Sequence, residues 1–269
     1  MFKAYNIKID ENVFDTDDYF KILWNINKIL AKPNININKL FNHDNTLNGK
    51  DLIELWFPHQ KYDIFLSHSH LDEDLAYKVA TYLYSKFNLK TFIDSQVWNH
   101  INDLIKNLDQ KFAYKKDKGV YDYDVRNVTT AHAHNMLSVA LTKMMDSCEC
   151  IFFLNTKNSF TKKIEKTPSI QTYSSWIYLE AANTSTLRNK KDRESRSLNL
   201  HRGAQDSIST ESIQIQYDTP QLERFPVLGL REINTWYKIA QDNGLDGPSS
   251  LDALYAMNFL KDEEVQTSY

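Results

Sequence analysis

Residues 62–98 read YDIFLSHSHLDEDLAYKVATYLYSKFNLKTFIDSQVW. Tyr62 to Leu66 is an apolar run too short for a helix, and it breaks into the polar loop Ser67-His68-Ser69-His70, which is the pattern of a buried strand. Asp72, Glu73 and Asp74 follow, placing negative charge where a helix N-terminus favours it. Ala76, Val79, Ala80, Leu83 and Phe87 then recur at helical spacing, and Thr91-Phe92-Ile93 forms a second strand closed by Asp94. Strand, helix and strand in so short a span make a βαβ unit, which pairs its strands in parallel. Ligands of such sheets bind beyond the carboxyl ends of the strands. Ser67, His68 and Asp94 are therefore expected on one rim.

The bulk numbers bound what this unit belongs to. The chain has 269 residues, with 42% hydrophobic and 25% charged, enough for a full core plus extensions. A formal net charge of −3 gives no general attraction to nucleic acid. No apolar run is long enough to span a bilayer, and the first residues lack a signal-peptide core, so a cytoplasmic setting without membrane attachment is expected. Cys148 and Cys150 are the only cysteines, which excludes a disulfide framework. There is no GxGxxG and no GxxxxGK[ST]; with only six glycines, a nucleotide would have to be held by side chains.

In chain order, residues 1–58 are expected to be a helical N-terminal extension capping the core. It would carry an amphipathic helix over Asp17–Leu30 and a second over Gly49–Phe57, with an Asn-rich loop between them. Residues 59–235 form the α/β domain, with a charged insertion near 114–130 and a polar, basic loop at 188–210. Within it, Trp98–Phe112 and Ala131–Cys148 have helical periodicity, and Cys150–Leu154 (CIFFL) is apolar enough for a central strand. Ile213–Tyr217 and Phe225–Leu230 are candidates for the fourth and fifth strands. Residues 236–269 are expected to be a C-terminal helical extension.

After CIFFL comes Ser174-Ser175-Trp176-Ile177-Tyr178-Leu179-Glu180, a helix start with serine at the cap. Trp176 and Glu180 are four residues apart and share a helix face, so the indole and carboxyl can address one pocket. Taken with Asp63-Ile64-Phe65-Leu66-Ser67 and Phe92-Ile93-Asp94 in the same order, this WxxxE resembles the Toll/interleukin-1 receptor (TIR) domain, and in particular bacterial TIR enzymes of the antiphage Thoeris type. The resemblance covers residues 60–187 most closely. It implies a flavodoxin-like TIR fold with a central, mostly parallel five-stranded sheet.

The resemblance also implies cleavage of the nicotinamide–ribose bond of NAD, as substrate rather than cofactor, with Glu180 catalytic. It assigns NAD contacts to Ser67, His68, Asp94, Ser95, Trp98 and Trp176, although His68 departs from the aromatic residue often found in that loop. The expected partners are neighbouring copies, joined head to tail through the loop after Asp94, and an effector that senses the nucleotide product. On this reading Ser67, His68, Asp94 and Glu180 form an open ledge that a neighbouring subunit completes. The competing reading is a TIR interaction module that signals by assembly alone.

Other chemistry has weaker footing. His68-x-His70, His132-x-His134 and Asp72 contain metal-ligating types, but a complete ligand set has to be assumed, so no metal is assigned. A pocket role for His134 or Arg126 is preferred over zinc. Serine, histidine and aspartate are all present, yet no GxSxG elbow supports a hydrolase triad.

Overall fold

In a computed structural model, the described residues are 3–9, 46–56, 61–163, 169–187 and 215–257. The expected helix at Asp17–Leu30, the Asn-rich loop and the whole of the 188–210 loop lie outside them.

The core is a five-stranded sheet made of β1 (Lys3–Ile7), β2 (Ile64–Ser67), β3 (Thr91–Ile93), β6 (Cys150–Leu154) and β10 (Val227–Leu228). The order across the sheet is β10-β1-β6-β2-β3, and every pairing is parallel. The expected βαβ unit is present: β2 leads through α2 (Glu73–Phe87) to β3. The left-handed Asn88 (φ 54°) ends α2. Counted from β2, the arrangement β3-β2-β6 reproduces the 2-1-3 start of a flavodoxin-like order, with the switch point between β2 and β6.

The next position departs from the sequence reading. It is filled by β1, from a stretch expected to be a helical extension. Tyr5 and Ile7 face one side of the sheet and Ala4 the other, all buried. Asn6 is buried as well; its amide nitrogen donates to the Leu222 carbonyl (2.7 Å), while its Oδ1 has no hydrogen-bond partner among the described residues. Tyr217–Asp218, from the expected fourth strand, is β9 of a separate antiparallel sheet with β7 (Thr161–Lys163) and β8 (Ser169–Thr172).

Alternation along the strands divides the core into two layers. Ile64, Leu66, Cys150, Phe152 and Leu154 meet α2, α7 (Leu230–Asp242) and the helix at 250–257. In that layer Trp236 stacks on Phe87, with ring centroids 3.8 Å apart. Residues 236–257, expected as an extension, thus supply buried core side chains. Phe65, Phe92, Ile151 and Phe153 face the opposite layer, built on α1 (Gly49–Trp56), α3 (Ser95–Leu108), α4 (Tyr123–Ser147) and α5 (Ser175–Thr186), with the short α6 (Pro220–Glu223) beside them.

The expected insertion is narrower than its charge run suggested. A single π-turn over Asp109–Ala113 prolongs α3, and a hairpin of β4 (Tyr114–Lys115) and β5 (Val120–Tyr121) follows. Asp122 then caps α4 by accepting from the Val125 amide (3.2 Å), so the helix starts at Tyr123 rather than Ala131. No described helix is long and apolar enough to cross a membrane.

Candidate active site

Three elements bring the expected residues together. Strand β2 ends at Ser67 and hands the chain to His68. Strand β3 ends one residue before Asp94, which immediately precedes α3 without a side-chain capping bond. Helix α5 begins at the Ser174 cap, whose hydroxyl accepts from the Ile177 amide (3.3 Å), and carries Glu180. Ile177 and Ala181 bury α5 against the sheet, and Glu180 lies on the same buried side.

The geometry is that of a closed cluster rather than the expected ledge. Ser67 is 1% exposed, His68 4%, Asp94 2% and Glu180 0%. The His68 Nδ1 and an Asp94 carboxylate oxygen are 2.6 Å apart. Glu180 has the Ser67 hydroxyl and the Asp94 carboxyl as its polar neighbours, but neither of its oxygens makes a hydrogen bond of good geometry within the chain. The open ledge implied by the resemblance is not found: Glu180 of α5 is packed beside Ser67 and Asp94, and all four side chains are out of water.

Electrostatics follow from that burial. Desolvation foremost, then the Asp94 charge, raises the Glu180 pKa well above the ordinary carboxyl value, while the Ser67 hydroxyl pulls it back somewhat. Burial pulls the His68 pKa down, but the Asp94 carboxylate, the Leu66 backbone and Glu73 outweigh it and the net shift is upward. The cluster therefore favours an imidazolium–carboxylate pair beside a protonated Glu180.

A second group of polar residues fixes the loops at the switch point. Asp72 accepts from the Asn158 side-chain amide (2.7 Å), from the Ser159 hydroxyl (3.3 Å) and from the Thr156 hydroxyl. The Ser69 amide donates to the Ser159 hydroxyl (3.2 Å). The loop after β2 is thereby tied to the loop after β6. The sequence reading gave Asp72 a helix-terminus role and weighed it as a metal ligand, not as a tie between loops; its partners lie more than 80 residues away, and no local spacing signals them.

The remaining expected residues are placed separately. Ser95 is buried and donates to a Glu73 carboxylate oxygen (3.1 Å), joining the start of α3 to the start of α2. Trp176 is half-buried in the α5 layer and stacks on His134 of α4, with centroids 5.7 Å apart and planes 16° from parallel. The indole thus packs on α4 side chains, and His134 lies against Trp176 rather than at the tyrosine-rich insertion. Trp98 lies within α3, and its side chain is outside the described residues. Among the described residues, no group of three or more histidines, cysteines or carboxylates is placed to hold a metal ion.

Fold and cluster together define an α/β protein with a parallel sheet and a buried Ser-His-Asp-Glu group at its strand ends. Set against known proteins, the chain matches no family model, no curated protein and no solved structure.

Proposed function

We propose that this chain is a TIR-type enzyme that cleaves the nicotinamide–ribose bond of NAD and releases an ADP-ribose-derived signal in antiphage defence. One observation carries the reading. Glu180 of the WxxxE helix is packed against Ser67 and Asp94, the residues that end the DIFLS and FID segments. Three stretches whose resemblance was separate in sequence thus meet in one cluster.

The chemistry suits a single carboxylate. Glycosidases ordinarily need a second carboxyl group to protonate the leaving group. Nicotinamide leaves a pyridinium as a neutral molecule, so no acid is required. Glu180, once ionised, would hold the ribose hydroxyls and stabilise the oxocarbenium-like transition state. In the closed cluster it favours its protonated form, so this role requires an opening that admits substrate and readmits charge. The cationic nicotinamide ring entering beside Glu180 would itself favour ionisation.

Self-association through the segment after Asp94 is the proposed trigger of opening, and a partner that senses the product is the proposed receiver. The complete burial of Glu180 also favours the second reading, an assembly module without catalysis. Nicotinamide release from NAD separates the two. Release by the wild-type chain and its loss in Glu180→Gln supports the enzyme; no release at any protein concentration supports the module.

A further inference from the structure

Away from the Glu180 cluster, α3 turns Asn102, Ile105, Lys106 and Asp109 toward a cavity of about 290 Å³. Their spacing of i, i+3, i+4 and i+7 is one helix face. Tyr121 of the β4–β5 hairpin and Arg126 of α4 form the other walls. The cavity lies at the far end of α3 from Asp94, roughly 20 Å away at the helical rise.

The polar groups are arranged around a fixed centre. Asp109 is buried, and both of its oxygens are engaged: one accepts from the Thr129 hydroxyl, the other from Arg126 Nε at 2.9 Å. The carboxylate therefore holds the guanidinium by its inner nitrogen. The terminal nitrogens of Arg126, the Lys106 ammonium and the Asn102 amide have no protein partner among the described residues. Tyr121 places its ring 5.6 Å from the guanidinium and is itself backed by Tyr114. The hairpin that carries Tyr121 is anchored by the Lys115–Asp122 pair at 2.5 Å. The π-turn that begins at Asp109 is a local irregularity of a kind often found at binding sites.

We infer that this cavity binds the phosphate group of a small phosphorylated molecule. Two cations face one carboxylate whose charge is already matched by Arg126, which leaves a net positive wall. A guanidinium oriented through Nε offers its remaining N–H donors in a fixed plane, and an ammonium and an amide supply further donors for a tetrahedral anion. The volume is at the small end of ligand sites and suits a phosphate with a sugar attached. The partly exposed Tyr121 ring adds apolar surface at the cavity edge for the uncharged part of the ligand.

Calorimetric titration of the full chain with inorganic phosphate, ribose 5-phosphate and AMP, with acetate as control, tests the site. Saturable binding is expected for all three phosphates, at least tenfold tighter than for acetate and weakened by salt. Lys106→Gln and Arg126→Gln should each weaken it tenfold or more, and Glu180→Gln should leave it within twofold. Arg126→Gln also frees Asp109, so its melting temperature is measured alongside; Lys106→Gln removes no hydrogen bond or ion pair among the described residues and tests the site with the Arg126–Asp109 pair intact. Failure of every phosphate compound to saturate at millimolar concentration overturns the assignment. So do acetate binding as tight as phosphate and wild-type affinity in Lys106→Gln. A loss of binding in Glu180→Gln that Lys106→Gln does not share would move the site to the Glu180 cluster.

Discussion

His68 Nδ1 and Asp94 Oδ1 stand 2.6 Å apart, with both side chains almost fully out of water. A pair so buried is costly to break, because removing one partner strands the other's charge in a poorly solvating interior. His68→Ala should therefore destabilise the protein by about 3–5 kcal/mol in urea melts near neutral pH. The double variant His68→Ala/Asp94→Asn should recover part of that loss. A single variant as stable as wild type would mean that the pair is not formed.

The same pair sets a pH dependence. The His68 pKa is raised in the folded state, so its contribution is fully present below the unfolded value near 6.5 and is lost as pH climbs through the folded value. Wild-type stability should fall on going from pH 6.5 to 9, and the decline should be shallower in His68→Gln. Parallel curves would remove His68 as the titrating group.

Glu180 acts in the same direction by a different route. A buried carboxyl with a raised pKa must keep its proton on folding, so above about pH 4.5 the unfolded chain gains a charge that the folded chain resists. Glu180→Gln should match wild type at low pH and exceed it in stability at pH 8. On the proposed function the same variant should lose NAD cleavage almost entirely. Full activity with an unchanged fold would remove Glu180 from the chemistry.

Trp176→Ala should uncover His134, whose pKa is lowered by burial. The imidazole resonance should then titrate closer to 6.5 by NMR. On the enzyme reading, KM for NAD should also rise and kcat fall, because loss of a stacking surface misplaces the ribose. A His134 titration identical in both proteins would place the indole elsewhere than the stack described above.

If neighbouring copies open the cluster, activity per milligram should increase with protein concentration. Dilution series with light scattering at each point measure this. Constant specific activity from a strictly monomeric chain would mean that one copy holds the complete site.

What the sequence made legible were the elements whose signal is local. β2, α2, β3 and β6 follow from short apolar runs and helical spacing, and the Ser174 cap marks the start of α5. The α/β class and the place of Ser67 and Asp94 at strand ends followed from element order, whereas the place of Glu180 beside them was what the TIR resemblance implied. β1 did not follow, because Lys3 and Asn6 interrupt its apolar run and the Asn6 amide finds its acceptor at Leu222, 216 residues away. A usable hint was present in Tyr5, Ile7 and Ile9, which alternate as a strand should. The closed state of the site was illegible for a related reason. Whether a strand end is wet depends on which helix lies across it, and no residue of β2 or β3 records that.

The place of β1 between β10 and β6 bears on how the molecule is made. Lys3 and its sheet neighbour Cys150 are 147 residues apart. At ribosomal speeds of about 5–20 residues per second, β1 waits on the order of ten to thirty seconds for its first partner. During that interval Tyr5, Ile7 and Ile9 are apolar side chains without the sheet that buries them in the folded protein. β2 and β3 lie only 27 residues apart, so much less chain has to be made before they can meet. β1 can pair only after β6 has been made, although it precedes the other strands of the sheet in the chain.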